Sequence, residues 1–302
     1  MPWLHHPSYE RVREGLIGKL KQNIHVFGRS KPMVFLCGGH QSQRRKDLAV
    51  YLRNRTDTLV FFAEDVWGTV SKQRGSDALA MEKGLADLAD IVIIIVESAG
   101  TLAELGAFSL HEDLQKKLLP VMDKEHENNE SFINTGPLET VKTCSLFTPA
   151  IHTDFDVILQ ASGEIESRLS RIPRSHRSKK LDSASIKMSR KHLLIFLVHL
   201  VSLIFPVTLL HLKYYVTKVF GSSQKLPIDE LIELAIAMRL LRRVEREPSG
   251  SQAEFLAPVD TLRLIQTADL HFESTRARIA SSLLGIPSAR EAIEAAVADA
   301  AN

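Results

Sequence analysis

One stretch concentrates the residues able to do chemistry. Asp90-Ile-Val-Ile-Ile-Ile-Val96 is β-branched almost throughout and runs into Glu97, Ser98, Ala99, Gly100 and Thr101, with Glu104 three residues on. A strand buried on both faces that empties into a small-residue loop and then a helix is where α/β proteins bind ligands. The spacing puts Glu104 in the first turn of that helix, where the positive end of the dipole keeps a carboxylate ionised. Such a carboxylate can attack an anomeric carbon or stabilise the oxocarbenium character that develops there. The same placement also suits an acid that only complements the dipole. Two other strand ends carry candidates. Gly38, Gly39 and His40 follow an apolar run, with Arg44 and Arg45 close behind. Glycines admit close backbone approach and helix N-termini attract anions, although paired glycines also mark an ordinary turn. Glu64 and Asp65 follow a second run. They fit a sugar hydroxyl or an acid/base contact, or simply the start of a helix.

The elements that must position these residues alternate. Met33–Cys37, Thr58–Phe62, Asp90–Val96 and Leu118–Met122 read as strands. Tyr9–Ile24, Leu48–Arg53, Asp77–Ala89, Leu102–Lys117 and Asp154–Ile172 read as helices. Strand alternating with helix predicts an α/β, Rossmann-like, doubly wound parallel sheet over residues 1–172. Pro173–Lys191 is rich in Ser, Lys and Arg and reads as a basic linker, residues 173–191.

From residue 192 to 302 the character changes. Apolar helices are expected over Leu193–Phe205 and Thr208–Phe220, and Pro227 opens another reaching Leu241. Two strand-like stretches, Leu241–Arg246 and Ala253–Val259, flank the turn signal Pro248-Ser-Gly-Ser251. Helical sequence over Thr261–Leu284 and an Ala-rich tail from Ser288 follow. Three helices then a hairpin is the order of a winged helix-turn-helix. Arg239, Arg242, Arg243 and Arg246 form a local basic cluster able to meet phosphates or a protein partner. Residues 192–212 are apolar enough to raise a membrane helix. Pro206 and a Thr208 cap instead split them into two short buried helices, so no stable membrane insertion is expected.

The bulk numbers set limits. The 302-residue chain is 44% hydrophobic and 25% charged with a net charge of +2, so any nucleic-acid binding must come from local patches. Cys37 and Cys144 are too few for a disulfide framework or a cysteine zinc site. With no signal-like apolar run near Met1, a cytoplasmic protein is expected. His and Cys do not cluster at ligand spacing, and a carboxylate nucleophile needs no metal or cofactor.

Gly100-Thr101-Leu-Ala-Glu104-Leu-Gly106 resembles the Gly-Thr-x-x-Glu-x-Gly signature of nucleoside deoxyribosyltransferases. In those enzymes the Glu takes the sugar from its base. It is also similar to the Gly-Gly-x-Gly-Thr-x-x-Glu loop of cytokinin-riboside phosphoribohydrolases, which break the same bond type. Four motifs in order widen the match: Phe35-Leu-Cys-Gly-Gly39, Ala63-Glu-Asp65, Glu97-Ser-x-Gly-Thr-x-x-Glu-Leu-Gly-Ala-Phe-Ser109, and Ser131-Phe-Ile-Asn-x-Gly-Pro137. Together they resemble the effector of a retron defence family that joins such a domain to a C-terminal winged helix. The resemblance implies a toxin cleaving an N-glycosidic bond. Its control would come from a reverse transcriptase and its multicopy single-stranded DNA/RNA, within a homo-oligomer or larger assembly. It assigns Glu104 as the catalytic carboxylate, and Gly38, Gly39, Glu64, Asp65, Glu97, Ser98 and Thr101 to the pocket. Gly100 belongs to the same loop, His40 adjoins it, and Asn134 either completes the pocket or shapes a turn. The ring-gripping Tyr or Gln of deoxyribosyltransferases has no evident counterpart. Nicotinamide adenine dinucleotide (NAD) is a sensible substrate, because its cationic nicotinamide leaves as a neutral base. Free deoxynucleotides, or a nucleotide in the retron's own DNA, are the alternatives. Two other functions fit the same features: a nucleotide-sensing DNA-binding regulator without catalysis, and an effector that disrupts membranes through residues 192–212.

Overall fold

The computed structural model describes residues 3–23, 30–64, 78–173, 189–205, 207–221, 226–246, 253–259 and 271–301. It separates into two compact units, Lys31–Arg174 and Met1–Ser30 with Ser175–Asn302. The chain opens with helix α1 (Pro7–Gln22), which belongs to the second unit.

The first unit is an α/β sheet layered between helices. Its strands are β1 (Met33–Cys37), β2 (Leu59–Phe61), β3 (Ile91–Ile95), β4 (Leu118–Asp123) and β5 (Ile151–Thr153). All neighbours pair in parallel, in the order β2-β1-β3-β4-β5. Four of these strands match the apolar runs of the sequence. The three-residue β5 has no such run to announce it. The central strands are apolar because both faces are covered: every residue of β1 and β3 is buried. Helices α2 (Gln43–Arg55), α3 (Ala78–Leu88), α4 (Ala99–Ser109), α5 (Glu112–Gln115), α6 (Phe132–Thr135), α7 (Pro137–Cys144) and α8 (Ser162–Leu169) complete the unit. A core on one face joins Val34, Leu36, Ile93 and Val121 to Leu48 and Leu52 of α2 and Ile165 of α8.

Two expected helices divide. The stretch 102–117 breaks after Ser109 into α4 and the single turn α5. The stretch 154–172 begins as a 3-10 segment, Phe155–Ala161, in which Val157 has non-helical torsions.

The second unit contains α9 (Arg190–Ile204), α10 (Leu209–Phe220), α11 (Ile228–Ala237), the antiparallel hairpin β6 (Leu241–Arg246) and β7 (Ala253–Pro258), α12 (Phe272–Leu284) and α13 (Pro287–Ala301). Thr208 caps α10, its hydroxyl accepting from the His211 backbone N–H while His211 reaches back to the Thr208 backbone. Among the described residues no helix is long and apolar enough to cross a membrane. The expected helical reading of 261–270, and nearly all of the basic stretch 173–191, lie outside the described residues.

The sheet unit begins at Lys31 rather than at residue 1. Helix α1 buries Tyr9, Leu16, Ile17 and Leu20. Inside the second unit the Tyr9 hydroxyl shares a 3.0 Å hydrogen bond with the Tyr215 hydroxyl of α10. Burial pushes the Tyr9 phenol up to about 12 and raises Tyr215 as well, so both stay neutral donors at any working pH.

Candidate functional site

Strands β1 and β3 lie side by side, and the chain leaves them to opposite sides of the sheet: β1 leads to β2 and β3 leads to β4. A parallel sheet opens a crevice at the carboxyl ends of two such strands. Gly38 and Gly39 leave β1 there and Glu97 leaves β3. The Glu97 side chain is only 7% exposed. Its Oε1 accepts the Gly39 backbone N–H at 2.9 Å, and its Oε2 accepts from Arg44 Nη1 at 3.0 Å. Arg44 also donates through Nε to the Phe155 carbonyl at 2.6 Å and lies over the Phe155 ring. One carboxylate thus ties β1, β3, α2 and the 155–161 segment together. A buried charge needs this much company.

Arg45 makes a second pairing. It stacks over Phe62 and meets both oxygens of Glu64, at 3.0 and 2.7 Å. It also fills the space above Gly38, where an added Cβ would come within 2.9 Å of Arg45 Cδ. Gly38 is therefore fixed by packing. Gly39 is not, since its nearest contact would be 3.4 Å from Glu97. Next to these glycines His40 is exposed, and Gln41 holds a left-handed backbone with φ 58°.

Helix α4 starts on a reciprocal cap. Ser98 Oγ accepts the Thr101 N–H, and Thr101 Oγ1 accepts the Ser98 and Glu97 N–H groups at 3.0 Å. Thr101 is wholly buried. Because the helix begins at Ala99, Glu104 is its sixth residue and stands in the second turn, not the first. The dipole fades within one turn, so it contributes less at Glu104 than the spacing suggested. Glu104 is half-buried. Alanine at Gly100 or Gly106 would meet nothing closer than 3.7 Å, so packing requires neither glycine.

A cleft of about 490 Å³ runs past the start of α4 and is lined by Arg44, Glu97, Ser98, Leu102, Asn134 and Phe155 among others. Glu97, Ser98 and Asn134 thus line one cleft. Asn134 serves the turn: its amide donates to the carbonyls of His126 and Asn129 at 3.2 and 2.6 Å. Glu104 is not in this cleft. It lies two residues beyond Leu102, about 200° around the helix, and so faces the other flank of α4. Glu64 does not line the cleft either, and Asp65 lies outside the described residues. The Arg44–Glu97 and Arg45–Glu64 pairs are not legible in the sequence. The four charges are plain in the sequence, but nothing local links residues 53 or 19 positions apart. Among the described residues no group of three or more His, Cys, Asp or Glu could hold a metal.

In the second unit the basic cluster is less free than its composition suggested. Arg243 is held by Glu233 and Glu254. Arg242 is half-buried, Arg239 is exposed, and the Arg246 side chain lies outside the described residues.

The family model described as STM3845 retron effector protein matches residues 41–243, two thirds of the chain. The chain is 35% identical over 139 residues to a candidate ribosyltransferase/DNA-binding protein of retron Ec86 from Escherichia coli, a match covering 44% of this chain and 45% of that one. It is 36% identical over 130 residues to the corresponding protein of retron Ec73 from the same organism, covering 40% and 41%. The matched part spans less than half the length of either relative.

Proposed function

We propose, since the chain belongs to the STM3845 retron effector family, that its sheet unit cleaves an N-glycosidic bond with Glu104 as the attacking carboxylate. The observation that carries this reading is the position of a half-buried carboxylate on the helix that leaves the central strand of a parallel sheet, behind the Ser98–Thr101 cap. The ribosyltransferase wording of both relatives' names agrees with it. In the step proposed, a Glu104 oxygen bonds the anomeric carbon as the C–N bond breaks and the base leaves with the electron pair. Water then hydrolyses the ester, or a second base accepts the sugar. NAD suits this chemistry because its nicotinamide departs neutral without prior protonation. Gly100, one turn before Glu104 on α4, would lie nearest the sugar, while Gly39, His40 and Ser98 would meet more distant parts of the substrate such as its phosphates. Glu97 and Glu64 would act through Arg44 and Arg45.

The second unit would dock the effector on the retron reverse transcriptase and its multicopy DNA/RNA, in a homo-oligomer or a larger cytoplasmic assembly. A winged-helix reading is supported by three helices followed by a hairpin, and by the bridge from Val207, between α9 and α10, to Leu256 of β7. The DNA-binding wording of the relatives' names points the same way.

The test is to incubate purified protein with NAD, nucleosides and deoxynucleotides and detect released base by mass spectrometry. Wild type is expected to release base from at least one of them. Glu104→Gln keeps the shape, removes the charge and should abolish release. A Gln variant as active as wild type would make Glu104 structural and refute the reading.

A further inference from the structure

The corner where α11 meets β6 carries an unusual residue. Helix α11 ends at Ala237, and the Arg239 N–H bonds the Ile236 carbonyl at 2.9 Å while the Leu240 N–H bonds the Ala235 carbonyl at 2.8 Å. This is the paired closure that usually has glycine in its left-handed position. Here that position holds Arg239, with φ 56°. A side chain in that conformation is strained where glycine is not. Arg239 is exposed and makes no ion pair with a described residue, whereas its neighbour Arg243 is taken up by Glu233 and Glu254.

The flank of α11 has the opposite sign. Its exposed and half-exposed residues are Asp229, Glu230, Glu233 and Ile236. Each acid is held by a cation from another element: Asp229 by Lys213 of α10 at 2.8 Å, Glu230 by Arg190 of α9 at 2.7 Å, and Glu233 by Arg243 of β6. In winged and other helix-turn-helix modules the helix at this place enters the major groove, between two rows of phosphates. A face made of three carboxylates and one isoleucine would be repelled there, and its cations are already engaged.

We propose that the second unit meets duplex DNA at the α11–β6 corner through Arg239, with the face of α11 outside the groove. It then binds phosphate backbone without reading base sequence. The inference rests on the DNA-binding reading above and specifies its contact. It also explains a strained arginine at a position suited to glycine: glycine would relieve the backbone but remove the cation.

The experiment uses the full chain and two 20-base-pair DNA duplexes of unrelated sequence, with affinity measured over a salt series. The two affinities should agree within roughly threefold, against the thousandfold or more that base readout gives. Arg239→Gly should weaken binding roughly fivefold and reduce the salt slope by about 0.9, one phosphate contact. The same variant should melt about 2 °C higher as the strain is relieved. Arg239→Lys should keep the affinity. Asp229→Asn with Glu230→Gln should not weaken binding. Wild-type affinity and slope in Arg239→Gly would overturn the proposal, as would a hundredfold preference between duplexes or weakened binding in the Asp229/Glu230 variant. If the wild-type chain binds neither duplex at low salt, the DNA-binding reading itself fails and this inference falls with it.

Discussion

Two imidazoles make the second unit acid-sensitive by a calculable amount. His199 on α9 packs against the Phe272 ring, and His211 on α10 lies beneath Trp3 with ring centroids 5.2 Å apart. Burial pushes both pKa values down to about 4 from the ordinary 6.5. A histidine that binds its proton less readily when folded stabilises the fold above its unfolded pKa. That contribution is lost as pH falls from 6.5 toward 4. At pH 5 the loss is about 2 kcal/mol per histidine, or about 4 kcal/mol for the pair. For a unit of this size that corresponds to a melting temperature lower by about 10 °C. The assay follows Trp3, which is 4% exposed and stacks on Phe255 as well, in a Trp67→Phe background. Its emission should shift red at a lower temperature at pH 5 than at pH 7.5. His211→Gln keeps the helix cap, since Gln is a normal capping partner at that position. Combined with His199→Gln, it should remove most of the difference. Equal melting at the two pH values in the parent, or an undiminished drop in the double variant, would refute the reasoning.

Other substitutions have equally definite outcomes. Gly38→Ala drives a methyl into Arg45, so chemical denaturation should show a loss of about 2 kcal/mol, reduced when Arg45 is also shortened. Glu97→Gln leaves an amide between the Gly39 N–H and Arg44 and should cost about 2 kcal/mol, with base release falling alongside as the two loops part. Gly106→Ala fills open space inside α4 and should gain about 1 kcal/mol in the same assay. Tyr9→Phe strands the buried Tyr215 hydroxyl and should cost about 1 to 2 kcal/mol.

The sheet was legible because its signal is local. Fully buried parallel strands must be continuous apolar runs, so β1 and β3 announced themselves within a residue or two. β5 did not, because three residues make no pattern, and it is recognised only by its register with Val121–Asp123. The loop chemistry was half legible. Ser98 and Thr101 read as residues near a sugar, and in the structure their hydroxyls close the start of α4. The same short polar side chains serve both purposes, and only geometry separates them. Glu104 stands one turn further along its helix than its spacing suggests, for a related reason. Ala99 and Gly100 look like loop in sequence, yet both are helical once Ser98 caps them, which advances the helix start by three residues.

In the second unit the elements were legible and their partners were not. The Thr208 cap, the end of α9 at Ile204 and the hairpin follow from capping and turn chemistry, which act over three or four residues. Helix α1 was equally plain as a helix, with Tyr9, Leu16 and Leu20 spaced along one stripe. A stripe shows that a face will be buried but not against what, and proximity in sequence assigned it to the sheet that follows. The Tyr9–Tyr215 bond spans 206 residues and settles the matter physically, since each hydroxyl would otherwise be buried unsatisfied. The sheet unit is therefore an insertion within the helical one, its ends at Lys31 and Arg174 both continuing into it. A fragment ending at residue 172 would keep α1 while removing its packing partner, exposing Tyr9, Leu16, Ile17 and Leu20 at a cost of about 2 kcal/mol for each side chain. The boundaries that respect the burial are residues 31 and 174.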